Sequence, residues 1–152
     1  MILVSACLAG INCKYHGGHN LDPEIRRMVA EGNAIPVCPE QLGGLRIPRA
    51  PAEMQGGDGR EVLAGRARVV TKDGEDVTEA FVKGARETLA LSELSGAGEA
   101  ILKEGSPSCG SSRVYDGTFS GASLPGEGVT AALLRQAGLR VYSEKNWHES
   151  QN

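Results

Sequence analysis

The chain has 152 residues, a length that suits one domain with a substantial core. Sixteen Lys and Arg against nineteen Asp and Glu leave a net charge of −3, which weighs against a general nucleic-acid binder, since those carry a basic patch. No apolar stretch approaches a bilayer span, and Met1 leads into an apolar run without a basic leader. A cytoplasmic protein with no membrane partner is expected, and there four cysteines point to metal or catalysis before disulfides.

Met1 to Ala6 is a continuous apolar run, as a strand buried on both faces requires. Leu8 to Gly18 reads as a long loop. Asp22-Pro23 supplies an N-cap and a first-turn proline. Ile25, Met28 and Val29 then share one helical face, and Gly32-Asn33 stops the helix. Ala34 to Cys38 is a second strand, placed at a sheet edge by Pro36. Pro39 to Gly59 reads as irregular, and Glu61 to Val77 as two short strands around the turn at Lys72-Asp73-Gly74. Thr78 caps a helix whose face carries Phe81, Val82, Ala85 and Leu89. Glu99 to Lys103 is the third core strand. A polar loop runs from Cys109 to about Pro125, a helix from Gly128 to Ala137, and a last strand from Leu139 to Tyr142, followed by a polar tail.

Alternating strands and helices predict an α/β fold over residues 1–152. Its mainly parallel, four-stranded Rossmann-like sheet has the order 2-1-3-4 and a small β-hairpin insertion. In that order the direction of winding reverses between the first and third strands, and ligands bind beyond the carboxyl ends of strands at such a switch point. Cys7, Cys13, Cys38 and Cys109 all lie at or past those ends. Zinc favours paired ligands such as C-x2-C, absent here, although His16, His19 or His148 offers a complement. A three-cysteine iron–sulfur cluster with one open iron is the other arrangement. Spacing alone ranks the two equally.

Three segments carry a resemblance. Ser5-Ala6-Cys7-Leu8-Ala9-Gly10-Ile11-Asn12-Cys13-Lys14-Tyr15-His16-Gly17, Val37-Cys38-Pro39-Glu40 and Lys103-Glu104-Gly105-Ser106-Pro107-Ser108-Cys109-Gly110 resemble the signature blocks of the thiouracil desulfurase family (TudS). The resemblance implies a 4Fe-4S cluster on Cys7, Cys13 and Cys109, with Glu40 and Ser106 as catalytic residues. It also implies non-redox removal of sulfur from a small-molecule thiolated nucleobase of the 2-thiouracil kind, with cluster-assembly machinery as a partner. One departure is Lys14-Tyr15-His16-Gly17 where the family usually has Arg-Tyr-Asp-Gly. Rival classes are an iron–sulfur or metal carrier without catalysis and a structural zinc domain. Around the proposed site, Cys38 reads as a buried strand cysteine and Ser108 as structural. His16 and His19 read as solvent-facing, and Arg46 and Arg49 as surface charges. The backbone amides of Leu8 to Gly10 and of Gly110 are candidate donors to a cluster.

Overall fold

The computed structural model describes residues 1–151. In chain order its elements are β1 (Ile2–Ser5), α1 (Pro23–Ala30), β2 (Ala34–Val37), α2 (Pro39–Leu42), β3 (Ala52–Gln55), α3 (Gly59–Leu63) and β4 (Arg68–Thr71). They continue with α4 (Thr78–Ser95), β5 (Glu99–Leu102), β6 (Arg113–Tyr115), β7 (Ser123–Pro125), α5 (Val129–Gln136) and β8 (Arg140–Ser143). The central sheet is parallel, in the order β2-β1-β5-β8. Counting only its own strands, that is 2-1-3-4. Proline is tolerated in β2 because this strand is at the edge, where a missing amide costs no ladder bond.

Strand alternation divides the core. Leu3, Ala100, Leu102 and Val141 face Ala131 and Leu134 of α5 and Leu89 of α4. Val4, Ile101 and Ala34 face Ile25, Met28 and Val29 of α1. Helices therefore cover both faces, as a parallel sheet requires. Asp22 caps α1 by accepting from the amides of Glu24 and Ile25. Trp147, in the segment read as a polar tail, is buried on the α1 face.

The periphery differs from the sequence reading. Only 68–71 of the 61–77 segment is a strand; 59–63 is helical, because Asp58 accepts from the amide of Arg60 and Val62 is buried. The antiparallel partner of β4 is β3, inside the segment read as irregular. A second hairpin, β6 with β7, lies in the loop after Cys109. Thr78 is not the cap of α4: its hydroxyl accepts from the amide of Val69, while Asp76 takes the amide of Thr78. Met54, Val62, Val69 and Val114 join Phe81, Ala85 and Val129 in a third apolar cluster, which ties both hairpins to α4 and α5.

Candidate active site

The carboxyl ends of β1, β2 and β5 lie side by side, and each releases a loop carrying a thiol. After Ser5 the chain makes one 3-10 turn, Ala6–Ala9, which buries Cys7. Gly10, at φ 90°, ends that turn in a conformation costly for any residue with a Cβ. The following loop is strapped back over the turn: the amide of Asn20 donates to the Cys7 carbonyl (2.9 Å) and that of Asp22 to the Leu8 carbonyl (2.8 Å). The strapping buries Cys13, which is 3% exposed.

At the end of β2, Cys38 occupies the N-cap of α2 and Glu40 its first turn. This short helix is fixed by backbone contact with α4: a Cβ on Gly43 would collide with the Ala80 carbonyl, and one on Gly84 with the Pro39 carbonyl. Arg49 then reaches back. Its Nη2 lies 3.0 Å from Glu40 Oε2 and 3.1 Å from the Cys13 carbonyl oxygen. The Arg49 and Glu40 side chains are 10% and 17% exposed, so Arg49 is a largely buried clamp between two loops rather than a surface charge. The other carboxylate oxygen, Glu40 Oε1, is buried and has no hydrogen-bond partner among the described residues.

The loop after β5 is held from both ends. The amide of Lys103 donates to Ser5 Oγ (2.9 Å). Glu104 turns inward, and its Oε1 accepts from the amides of Ser111, Ser112 and Arg113 at 2.9–3.0 Å. Oε2 accepts from the hydroxyls of Ser111 and Ser112. Burial alone would raise the Glu104 pKa, but these donors outweigh it and hold the carboxyl at about 2. Ser106 Oγ accepts from the amides of Ser108 and Cys109, both at 3.0 Å, leaving its own proton free to donate. The carbonyls of Pro107 and Ser108 take the first-turn amides of α5. Ser108 is buried, its hydroxyl 2.8 Å from that of Thr130, which is also buried.

The three loops share one electrostatic environment. Cys7, Cys13, Cys38 and Cys109 all feel the Glu40 carboxylate, which disfavours their thiolates. Burial pushes the Cys7 and Cys109 thiols up. Hydrogen-bond contact with Cys38, together with burial, pushes Cys13 up. Other groups work in the opposite sense: Asn20 donates to Cys7 Sγ at 3.6 Å and the Lys103 ammonium also favours the Cys7 thiolate, the Ser5 hydroxyl favours that of Cys109, and contact with Cys13 pulls Cys38 down. Buried thiols raised in this way are poised for a positive partner, which would deprotonate them outright.

His16 and His19 stay outside this group; each ring Nδ1 accepts an amide of its own exposed loop. Among the described residues, no three His, Cys, Asp or Glu side chains gather closely enough to hold a single metal ion. The amides of Gly10 and Gly110 are not available to a ligand, since they donate to the carbonyls of Cys7 and Ser106. Sequence reasoning missed the roles of Ser5, Asn20, Arg49 and Glu104. The last has a local signal, a glutamate before a serine-rich turn. The others act across the fold and have none.

A switch-point edge of an α/β sheet ringed by four free cysteines and one half-satisfied buried carboxylate defines a thiol-lined site of metal or sulfur chemistry. The chain belongs to the 2-thiouracil desulfurase family, whose model matches residues 2–146. It is 54% identical over 149 residues to the "Uncharacterized protein YbbK" of Bacillus subtilis (strain 168), covering 98% of this chain and 99% of that one. It is also similar to a solved structure described as the 4Fe-4S-dependent thiouracil desulfidase TudS, with a TM-score of 0.87 and 47% identity over 97% of this chain and 93% of that one. No helix among the described residues is long and apolar enough to cross a membrane.

Proposed function

We propose that this protein is a desulfurase that hydrolyses the carbon–sulfur bond of a thiolated pyrimidine of the 2-thiouracil kind, using a 4Fe-4S cluster held by Cys7, Cys13 and Cys109. The donor set suits that group: several buried thiols raised by desolvation need a cationic core to ionise them. Their spread over three loops also suits a four-iron core, which separates its thiolates more widely than one ion does. Bound there, such a cluster supplies an iron without a protein ligand, a thiophilic Lewis acid that polarises a C=S bond.

The observation that carries the reading is Glu40 Oε1, a buried carboxylate oxygen with no partner among the described residues, in the electrostatic neighbourhood of the thiols. A native protein rarely leaves such an atom unsatisfied unless it has work there. Arg49 grips the other oxygen at 3.0 Å and so fixes the direction in which Oε1 points. In this reading Oε1 accepts the proton of the attacking water. The free proton of Ser106 Oγ donates to the substrate. Water replaces sulfur at the carbon, C=S becomes C=O, sulfide leaves, and no electron is transferred.

The test is sulfide release by the anaerobically reconstituted protein from a panel of thiolated pyrimidines. One equivalent of sulfide and one of the oxo-pyrimidine are expected per turnover, without added reductant. A cluster-loaded protein that desulfurates none of them, yet transfers its cluster to an acceptor apoprotein, would replace the enzyme with a carrier.

A further inference from the structure

Outside the ligands and the proposed base, one contact couples a surface charge to a candidate ligand sulfur. Asn20 Nδ2 donates to Cys7 Sγ at 3.6 Å, and Asn20 Oδ1 accepts from Lys14 Nζ at 3.0 Å. An amide whose oxygen receives a cation is polarised toward being a stronger donor at nitrogen. A neutral serine hydroxyl, that of Ser5, favours the Cys109 thiolate, and the Cys38 thiol lies 3.8 Å from the Cys13 carbonyl oxygen. The three thiols are therefore not equivalent, and Cys7 is the one with a charge-assisted donor.

We propose that Lys14 and Asn20 form a relay that withdraws electron density from the Cys7 sulfur and so sets the reduction potential of a cluster bound there. The inference rests on the cluster reading above. Hydrogen bonds to cluster sulfurs are a main determinant of such potentials, and partners outside the ligand shell tune metal sites generally. Asn20 is a positioning residue in this scheme. Its side chain is not needed to hold the loop, because the backbone amides of Asn20 and Asp22 already bond the carbonyls of Cys7 and Leu8.

The test is the midpoint potential of the reconstituted full chain, followed by visible absorbance and electron paramagnetic resonance, in wild type, Asn20→Leu, Lys14→Met and the double variant. Asn20→Leu should shift the potential negative, since the reduced cluster loses a donor. Lys14→Met should shift it in the same direction by less. The double variant should match Asn20→Leu, because the lysine acts through the amide. Unchanged potentials at full cluster content would overturn the relay while leaving the cluster reading intact, and additive shifts would overturn it in favour of independent through-space charges. A wild-type chain that takes up no iron–sulfur centre sinks both readings. Lys14→Met touches no thiol, so an unchanged potential in that variant overturns the relay even if Asn20→Leu loads poorly.

Discussion

The loops leaving β2 and β5 each present a partly buried glutamate, and the two are satisfied in opposite ways. Glu104, after β5, gathers backbone amides on one oxygen and two serine hydroxyls on the other. Glu40, after β2, has Arg49 on one oxygen and, among the described residues, no partner on the other. A saturated carboxylate has no capacity left for chemistry, and its work is to shape the loop that carries Ser106 and Cys109. A buried oxygen left bare costs on the order of 1–3 kcal/mol, and that cost is tolerated where a substrate or water is to be engaged. In the proposed mechanism the same residue type is scaffold in one loop and reagent in the next, and the two differ in the donors they gather.

The largest expected effect separates the loops by their thiols. Cys109→Ser should abolish cluster binding, whereas Cys38→Ser should retain it, read by iron and sulfide content after anaerobic reconstitution. Loss of the cluster in Cys38→Ser would move Cys38 into the ligand set. Next come the reagent side chains. Glu40→Gln should keep the cluster but cut sulfide release by about 10²–10⁴-fold, the usual worth of a general base. Ser106→Ala should cut it by less, on the order of 10²-fold. Normal turnover in Glu40→Gln would remove the assigned base and, with it, the contrast between the two glutamates.

Glu104→Gln should show the opposite signature: a loss of stability of at least about 3 kcal/mol, since several charge-assisted bonds go at once, measured by denaturant unfolding. Its dependence on pH follows from the depressed pKa. The folded-state value is about 2 against an ordinary 4.5, so the contribution is fully present above the ordinary value and lost as pH falls through about 2. The stability gap between wild type and Glu104→Gln should therefore narrow over that interval. A gap that stays constant would mean the carboxylate charge is not what holds the loop.

The sheet was legible because its four strands are short apolar runs separated by amphipathic helices, and Pro36 marked the edge. The candidate site was legible as far as it is local: Cys7 and Glu40 follow closely on the ends of β1 and β2, and Cys109 lies in the loop that leaves β5. What was hidden depends on distance along the chain. β3 pairs with β4 across an intervening helix, and β6 and β7 are only three residues each. The β6–β7 turn is anchored by Glu53 and Gln55, more than sixty positions away. Arg49 reads as a surface charge because nothing near it in sequence reveals that it will lie against the Cys13 carbonyl. Donors that satisfy a buried group from another loop leave no periodicity to detect.

The smallest expected effect concerns the two serines of the 103–110 loop, and it tests whether the scaffold and reagent roles also divide at this finer scale. Ser108 is 1% exposed, and its hydroxyl is paired with that of Thr130. Ser108→Ala leaves the Thr130 hydroxyl in a dry environment and should cost about 1–2 kcal/mol, with sulfide release per cluster unchanged. Adding Thr130→Val removes the stranded hydroxyl, so the double variant should recover much of that loss, because deleting both partners of a buried hydrogen bond is far milder than deleting one. Ser106→Ala should behave differently, losing sulfide release out of proportion to stability. If Ser108→Ala instead matched Ser106→Ala in lost turnover at equal cluster content, the Thr130 pair would have to open during catalysis, and the reagent would be Ser108.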